Sequence, residues 1–365
     1  MKLVILQEHL KHALSTVGRA VAGKSTLPVL ANVLLSAAGG RLTLAATNLE
    51  IGITHTIGAQ VEVDGAVTLP HKLFSDVVGS LPNDRVTLTL DERTQTVTIA
   101  CGRFTSNIKG IEADEFPTIP AIDAAGATLP VDVLKQSIAL TAFSAASDDS
   151  RPVLAGVLLE LGDALTLSAA DGFRLARHTT PIDAGDGLTC IVPGGSLETL
   201  GAILGGDTVT ATLAPTGSQI GFTAGGTTLV SRLIEGKFPD VDRIIPQAHT
   251  TRLVVNRGDL AKAVKLASYF AVSAQGVVKL TVTESGAILS ANASEVGDNT
   301  TEIECIVGGK PTQIALNAKY LAEVVGAIQT EQIAMELQTA QSPAVIKPVG
   351  SEGYVHIIMP MSLNR

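Results

Sequence analysis

The sequence predicts an α+β protein made of three tandem copies of one domain, each with two helices packed on a mostly antiparallel sheet. Three observations predict it. The stretches DEFPTIP at 114–120 and KFPDVDRIIP at 237–246 carry matching Phe-Pro pairs at Phe116 and Phe238. The stretches LTLAATNLEIGI, LTLSAADGFRLA and AILSANASEVGD align Asn48, Asp171 and Asn292. The stretches EHLKHALSTV, DVLKQSIALTA and GDLAKAVKLAS align Leu10, Leu134 and Leu260. All three sets recur at about 120 residues, the length of a whole domain rather than of a solenoid turn.

Each copy opens with a helix. In LQEHLKHALSTVGRAV, Leu6, Leu10, Ala13, Leu14, Val17 and Val21 fall at helical spacing with charged residues between them. Strand pairs with alternating apolar residues follow, as in RLTLAAT and ALTLSAA. A second helix starts after a proline or polar residue in PHKLFSDVVGSL, PGGSLETLGAIL and NAKYLAEVVGAI. Leu73, Phe74, Val77 and Val78 form one apolar face there, and Leu321, Val324, Val325 and Ile328 another. Strands close each copy, as in DRVTLTLDERTQTVTIAC. Linkers bearing Pro and Gly near 121 and 247 divide the chain into domains 1–121, 122–247 and 248–365.

One motif competes with this reading. GRAVAGKS at 18–25 matches Gly-x-x-x-x-Gly-Lys-Ser, the phosphate-cradling loop of nucleotide-binding proteins. That loop needs a buried strand before it and a helix after it. Here a helix precedes it, and Pro28 with the run TLPVLANVLL follows, so the order is reversed and no ATP binding is expected.

The composition excludes further classes. The chain has 365 residues, 45% of them hydrophobic, with no Trp, and its apolar runs are far too short for a membrane span. No signal peptide is expected. Cys101, Cys190 and Cys305 are scattered and odd in number, so neither a disulfide framework nor a zinc ribbon is supported, and a reducing cytosol fits. No catalytic set emerges: GGSLE and SDDS lack a partnered His, and His9 and His12 lack a third metal ligand. Neither metal nor cofactor is expected.

Tandem identical domains with β edges at both ends form an arc whose end edges need covering. Two arcs related by a two-fold axis cover both edges and close a ring. The net charge of −9 argues at first sight against nucleic acid. The helical segments nevertheless carry Lys11, His12, Arg19, His71, Lys72, Lys135, Lys262, Lys265 and Lys319, while acidic residues such as Asp84, Asp91, Glu92, Asp114, Glu115, Asp148 and Asp149 crowd turns and strand ends. A chain acidic overall can still line one surface with cations. The second helix of the central copy, GGSLETLGAIL, has no basic residue.

STLPVLANVLL, RPVLAGVLLEL, LSAADGFRLA, LIEGKFPDVDRIIP and the terminal YVHIIMPMSL together resemble the bacterial DNA polymerase III beta subunit family, the DNA sliding clamps, over essentially the whole chain. The resemblance implies three tandem DNA-clamp domains. Two chains then close head to tail into a homodimeric six-domain ring, with helices lining the hole and sheets forming the outer wall. It implies a cytoplasmic, non-catalytic processivity factor that encircles double-stranded DNA without reading its sequence. Its partners would be the DNA polymerase III catalytic subunit, the clamp loader, and other polymerases and repair proteins, with no membrane. A sliding ring suits contacts to phosphates rather than bases, and a modest number of cations. The resemblance assigns Lys24 and Arg151, in equivalent loops, to DNA, with Arg103 and Lys109 as further candidates. The rival reading is a repeat-built, protein-binding scaffold that does not encircle DNA.

The resemblance also implies a groove between the second and third domains that receives short linear motifs of partners. The matching positions are Leu154, Gly172, Phe173, Arg174, Leu175, Pro239, Arg243, Ile244, Ile358, Met359, Pro360 and Met361. Leu154, Leu175, Ile244 and Met359 make an apolar socket in this reading, and Met suits a surface with many guests. Arg174 and Arg243 offer hydrogen bonds to peptide carbonyls or carboxylates. The chain departs from the family at Ala170, Phe173 and Ser362, where Thr, His and Arg are common, and that alters the polar rim.

Overall fold

The structure, a computed structural model, describes residues 1–362 except Lys24, Asp123, Asp149, Gly185, Asp186, Ser273, Ala274 and Ser294. Among them are six α-helices, two in each repeat: α1 (Gln7–Val17), α2 (His71–Ser80), α3 (Val131–Thr141), α4 (Gly194–Ile203), α5 (Arg257–Ala271) and α6 (Ala318–Ala327). Every strand pairing is antiparallel among the described residues. The sequence around 121 and 247 lies outside helices and strands.

Contacts group the chain into two compact units that cut through the central repeat. The first holds Met1–Asp132 and Thr199–Leu233; the second holds Val133–Glu198 and Ile234–Arg365. Sheet pairing is the reason. In the first unit an eight-stranded sheet runs Ala127–Pro130, Thr208–Leu213, Gln219–Ala224, Thr227–Arg232, Ile51–Gly58, Arg41–Thr47, Asn32–Ala38, Gly65–Pro70. It joins two repeats where Thr227 faces His55 and Ser231 faces Ile51. In the second unit a nine-stranded sheet makes the equivalent join, with Arg174 facing Ile358 and His178 facing Tyr354.

Each unit also has a smaller sheet. In the first it runs Gln60–Val63, Lys2–Leu6, Arg85–Asp91, Thr96–Cys101, Phe104–Lys109. In the second it runs Gly297–Ile303, Ala287–Ala293, Val277–Val282, Thr312–Asn317. Phe104–Lys109 is the last strand of its repeat, as Thr227–Arg232 and Tyr354–Ile358 are of theirs. Gly297–Ile303 occupies the place that Ile51–Gly58 and Arg174–Pro181 hold in the other repeats. Among the described residues these two strands end their sheets with one side unpaired.

The helices bury the stripes that the spacing indicates. On α1, Leu10, Ala13, Leu14 and Val17 are buried, while Lys11 and His12 face solvent. On α2 the buried stripe is narrower than expected: Phe74 and Val78 are covered, but Leu73 is exposed. Leu73 lies about 100° around the helix from Phe74, beyond the strip covered by α1. Gln7 Nε2 donates to the Val78 carbonyl (2.7 Å) and His71 Nε2 to that of Leu14 (3.1 Å), locking α2 onto α1. In the third repeat, Asn256 caps α5 and Asn317 caps α6, each accepting two backbone N–H groups. Those two helices share a core with Leu280, Leu289 and Leu316, to which Leu260, Val264, Leu321 and Val325 contribute.

The segment matching the nucleotide loop has another use. Gly18 begins a 3-10 turn directly after α1, and Pro28–Ala31 forms a second such turn before the strand Asn32–Ala38. A Cβ on Gly18 would meet His71 Nε2 at 2.3 Å, so this glycine admits the second helix rather than a phosphate.

Leu321 is fully buried between α6 and the sheets. Leu321→Ala is expected to destabilise the second unit by about 2–5 kcal/mol. Native-state hydrogen exchange of the α5 and α6 amides measures this; protection unchanged from the parent would contradict the packing described.

Candidate functional site

The residues singled out for partner binding all lie in the second unit. Leu154 projects from the 3-10 turn Pro152–Ala155. Asp171 builds the next turn, its Oδ1 accepting the N–H groups of Phe173 (2.8 Å) and Arg174 (2.9 Å). Gly172 takes φ +91° there, in the left-handed region that favours glycine. Its missing side chain also leaves room for the Arg151 guanidinium, which donates to the Asp171 carbonyl (2.7 Å). The Met359 amide donates to the Phe173 carbonyl (2.8 Å), and the Met361 amide to that of Ala315 (2.9 Å), fixing the segment after the last strand.

Beneath these turns lies one apolar cluster. Leu154, Ala170, Leu175, Phe238, Val241, Val345 and Ile357 meet in it, from the central repeat, the linker and the third repeat. Leu154 and Leu175 are therefore floor. Phe173, Ile244 and Met359 form the exposed apolar rim, at 61%, 42% and 40% exposure. Pro239 and the turn Val241–Arg243 border it, and Pro360 and Met361 are half-buried. Arg243 is exposed and, among the described residues, pairs with Asp240 (2.9 Å), so its charge remains at the surface. Ile358 differs from expectation: it is fully buried in the helix–sheet core, because it faces Arg174 and Ala344 across the sheet.

Arg174 also differs. It is expected to donate to a guest peptide, but each of its three guanidinium nitrogens already donates within the chain. Nε meets Asp171 Oδ2 (3.0 Å), Nη1 meets Glu323 on α6, and Nη2 meets the Phe143 carbonyl. The guanidinium lies 4.3 Å from the Tyr320 ring centroid and 5.4 Å from that of Phe143. Burying a charge requires such compensation. Arg174 therefore holds the turn, the α6 helix and the Phe143 segment together under the rim. Glu323, Tyr320 and Phe143 were missed in sequence; Phe238 was visible, but only as a repeat marker.

The expected DNA contacts separate. Lys24 lies outside the described residues. Arg151 is exposed, with one guanidinium nitrogen held by the Asp171 carbonyl. Arg103 and Lys109 do not lie on a helix: they stand at the two ends of the edge strand Phe104–Lys109, with Arg103 over the Phe104 ring. The helix cations Lys11, Lys72, Lys262, Lys265 and Lys319 are exposed. Lys262 pairs with Asp259 (3.4 Å) and Lys319 with Glu323 (3.8 Å), whereas Lys11, Lys72 and Lys265 pair with no described residue. Among the described residues no acidic, His and Cys cluster could hold a metal, and no helix is long and apolar enough to cross a membrane.

Repeats joined edge to edge by continuous sheet, each carrying paired helices, define a repeat-built clamp. The chain matches models of the DNA polymerase III beta subunit: N-terminal domain at 1–120, central domain at 128–240 and C-terminal domain at 242–362. It is 34% identical to the beta sliding clamp of Synechococcus elongatus over the full length of both, and 29% identical to that of Staphylococcus aureus over 99% of each. Its fold matches the DNA polymerase beta subunit of Streptococcus pyogenes (TM-score 0.93, 27% identity) and the DNA polymerase sliding clamp of Bacillus subtilis (TM-score 0.91, 26% identity), covering 100% of each chain. The chain belongs to the DNA polymerase III beta subunit family, the beta sliding clamps. Its function is that of a DNA sliding clamp, a non-catalytic processivity subunit.

Two histidines sit at the join beneath the groove. Burial, then the nearby Arg174 charge, lowers His356 from 6.5 to about 3; it stacks on Phe143 and meets the Tyr354 hydroxyl at 3.3 Å. Burial also lowers His178, whose Nδ1 meets Ser137 Oγ at 2.9 Å. Below pH 6.5 the unfolded chain binds protons that the folded His356 refuses, so stability falls as pH falls. Between pH 6.5 and 5, His356 is expected to remove about 2 kcal/mol. Chemical denaturation across that range should show a shallower slope for His356→Leu than for the parent; equal slopes would refute the assignment.

Proposed function

We propose that the chain works as a head-to-tail homodimer closed around duplex DNA in the cytoplasm. In this reading it tethers the replicative polymerase and receives the clamp loader, other polymerases and repair proteins through the groove of the second unit. Three clamp domains, 1–121, 122–247 and 248–365, supply the repeating unit. The observation that carries the reading is the pair of leftover edges. Twice within the chain, the last strand of one repeat pairs with the same inner strand of the repeat before it. One further step of that rule pairs Phe104–Lys109 of one copy with Gly297–Ile303 of another, and a second such contact closes the assembly.

The two edges are complementary. Arg103 and Lys109 bracket the first, beside the exposed Phe104. Glu295, Asp298, Glu302 and Glu304 lie along the second, whose apolar neighbours are the exposed Tyr269, Val272 and Val296. Arg103 and Lys109 are thus reassigned from DNA to the subunit interface. Arg151, Lys24 and the unpaired Lys11, Lys72 and Lys265 are the proposed phosphate contacts.

Reversing charge on one edge (Arg103→Glu with Lys109→Glu) is expected to weaken dimerisation about tenfold or more. Combining it with Asp298→Lys and Glu302→Lys should restore the dimer. Light scattering after gel filtration reads this, and a parent chain that is monomeric at micromolar concentration would sink the ring. The ring itself is tested by retention: it should persist on circular DNA and run off linear DNA.

In the groove, Phe173, Ile244 and Met359 are proposed to hold the guest's apolar side chains over the Leu154–Leu175 floor. Met359→Ala should cost about 1–3 kcal/mol, weakening a clamp-binding peptide roughly five- to two-hundred-fold. Retention on circular DNA should be unaffected. Unchanged peptide affinity in a folded dimer would mean that the terminal segment only packs.

A further inference from the structure

The join between the first two repeats, wholly inside the first unit, reproduces the architecture of the partner groove. The tetrapeptide PVLA forms a 3-10 turn at Pro28–Ala31 and again at Pro152–Ala155. Asn48 Oδ1 accepts the N–H groups of Glu50 (3.0 Å) and Ile51 (2.8 Å), as Asp171 does for Phe173 and Arg174. The Arg232 amide donates to the Glu50 carbonyl (3.0 Å), as that of Met359 does to Phe173. Phe116 of the linker is buried against Val29 and Ala45, as Phe238 is in its own cluster.

The shared backbone carries different side chains. Leu49 stands where the other turn has Gly172, and it holds φ +75°. The left-handed region is unfavourable for leucine, and strain of this kind collects at functional sites. The turn built on Asn48 imposes this φ, as the one on Asp171 does at Gly172, and Leu49 remains 44% exposed there. Leu49 lines a cavity of about 130 Å³ whose walls are half polar, with Glu50, Ile119, Gln219, Val230 and Arg232 among its lining. A second cavity of about 270 Å³ adjoins it, sharing Ile119, Pro120 and Val230. Arg232 is exposed and forms no ion pair with a described residue.

We propose that this cavity is a second peptide-docking groove, which takes an extended segment with an apolar side chain against Leu49 and an acidic side chain on Arg232. Leu49, Ile119, Pro120 and Val230 select the first group, and the Arg232 guanidinium, which pairs with no described carboxylate although Glu50 lines the same cavity, selects the second. The inference rests on the partner-groove reading only for the comparison of architecture.

The test titrates the full-length protein calorimetrically with the acetylated, amidated peptide Leu-Leu-Asp-Leu. Two sites per chain are expected. Leu49→Gly and Arg232→Glu should each weaken one of them about tenfold, and Met359→Ala the other. Leu49→Gly suits φ +75°, so its loss of binding would come with undiminished thermal stability. A peptide with Asn for Asp should lose its dependence on Arg232. Two outcomes overturn the proposal: no binding at millimolar peptide, or binding indifferent to both Leu49→Gly and Arg232→Glu. If Met359→Ala changes nothing while Leu49→Gly weakens binding, the partner-groove reading fails and this one stands.

Discussion

Backbone groups on a sheet edge need partners, and the fold is organised around supplying them. Each repeat has one inner strand and one last strand that pairing within the repeat leaves half satisfied. Twice the chain answers this by carrying one sheet across from repeat to repeat. The linkers, the 3-10 turns and the Asx-type turns at Asn48 and Asp171 all cluster at those joins, because the chain must turn there to feed the next strand. Cavities form at the first join for the same reason: turn and linker cannot cover the sheet as closely as a helix does.

The two joins share geometry but not chemistry. At the start of the joining strand one has Ile51 and the other Arg174. Isoleucine needs only apolar neighbours. Arginine needs counter-charge, and Asp171, Glu323, the Phe143 carbonyl and the Tyr320 face supply it. Removing a single partner of such a buried charge typically costs about 3–5 kcal/mol, so the turn, α6 and the Phe143 segment are tied to one another. Burial of Tyr320, followed by the nearby Asp171 charge, pushes its phenol up, so the ring stays neutral beneath the guanidinium.

Repeats, helices and antiparallel strands were legible because each rests on local periodicity, and Leu10, Phe74 and Leu321 are buried as their spacing indicates. Leu73 was misplaced because periodicity gives a face but not the width of what covers it. The resemblance offered a set of positions for a partner groove. The division of those positions into floor, rim and core was not legible. Ile358 and Arg174 face inward for reasons set by strand register and by Glu323, 149 positions away. Arg103 and Lys109 read as free cations in sequence, and only the order of strands shows that they border an unpaired edge. Gly18 shows the same gap: one glycine satisfies a motif in sequence and a helix contact in space.

Splitting the central repeat between two units has a consequence during synthesis. Strand Ile51–Gly58 leaves the ribosome long before its partner Thr227–Arg232 exists. At about 5–20 residues per second, the intervening stretch of about 170 residues takes roughly 10–30 s. Strand Arg174–Pro181 waits similarly for Tyr354–Ile358, close to the end of the chain. The nascent protein therefore emerges with a sticky margin always on display. Its His, Thr and Arg side chains along those margins, at His55, Thr56, Arg177 and His178, keep waiting edges wetter than all-aliphatic strands would be.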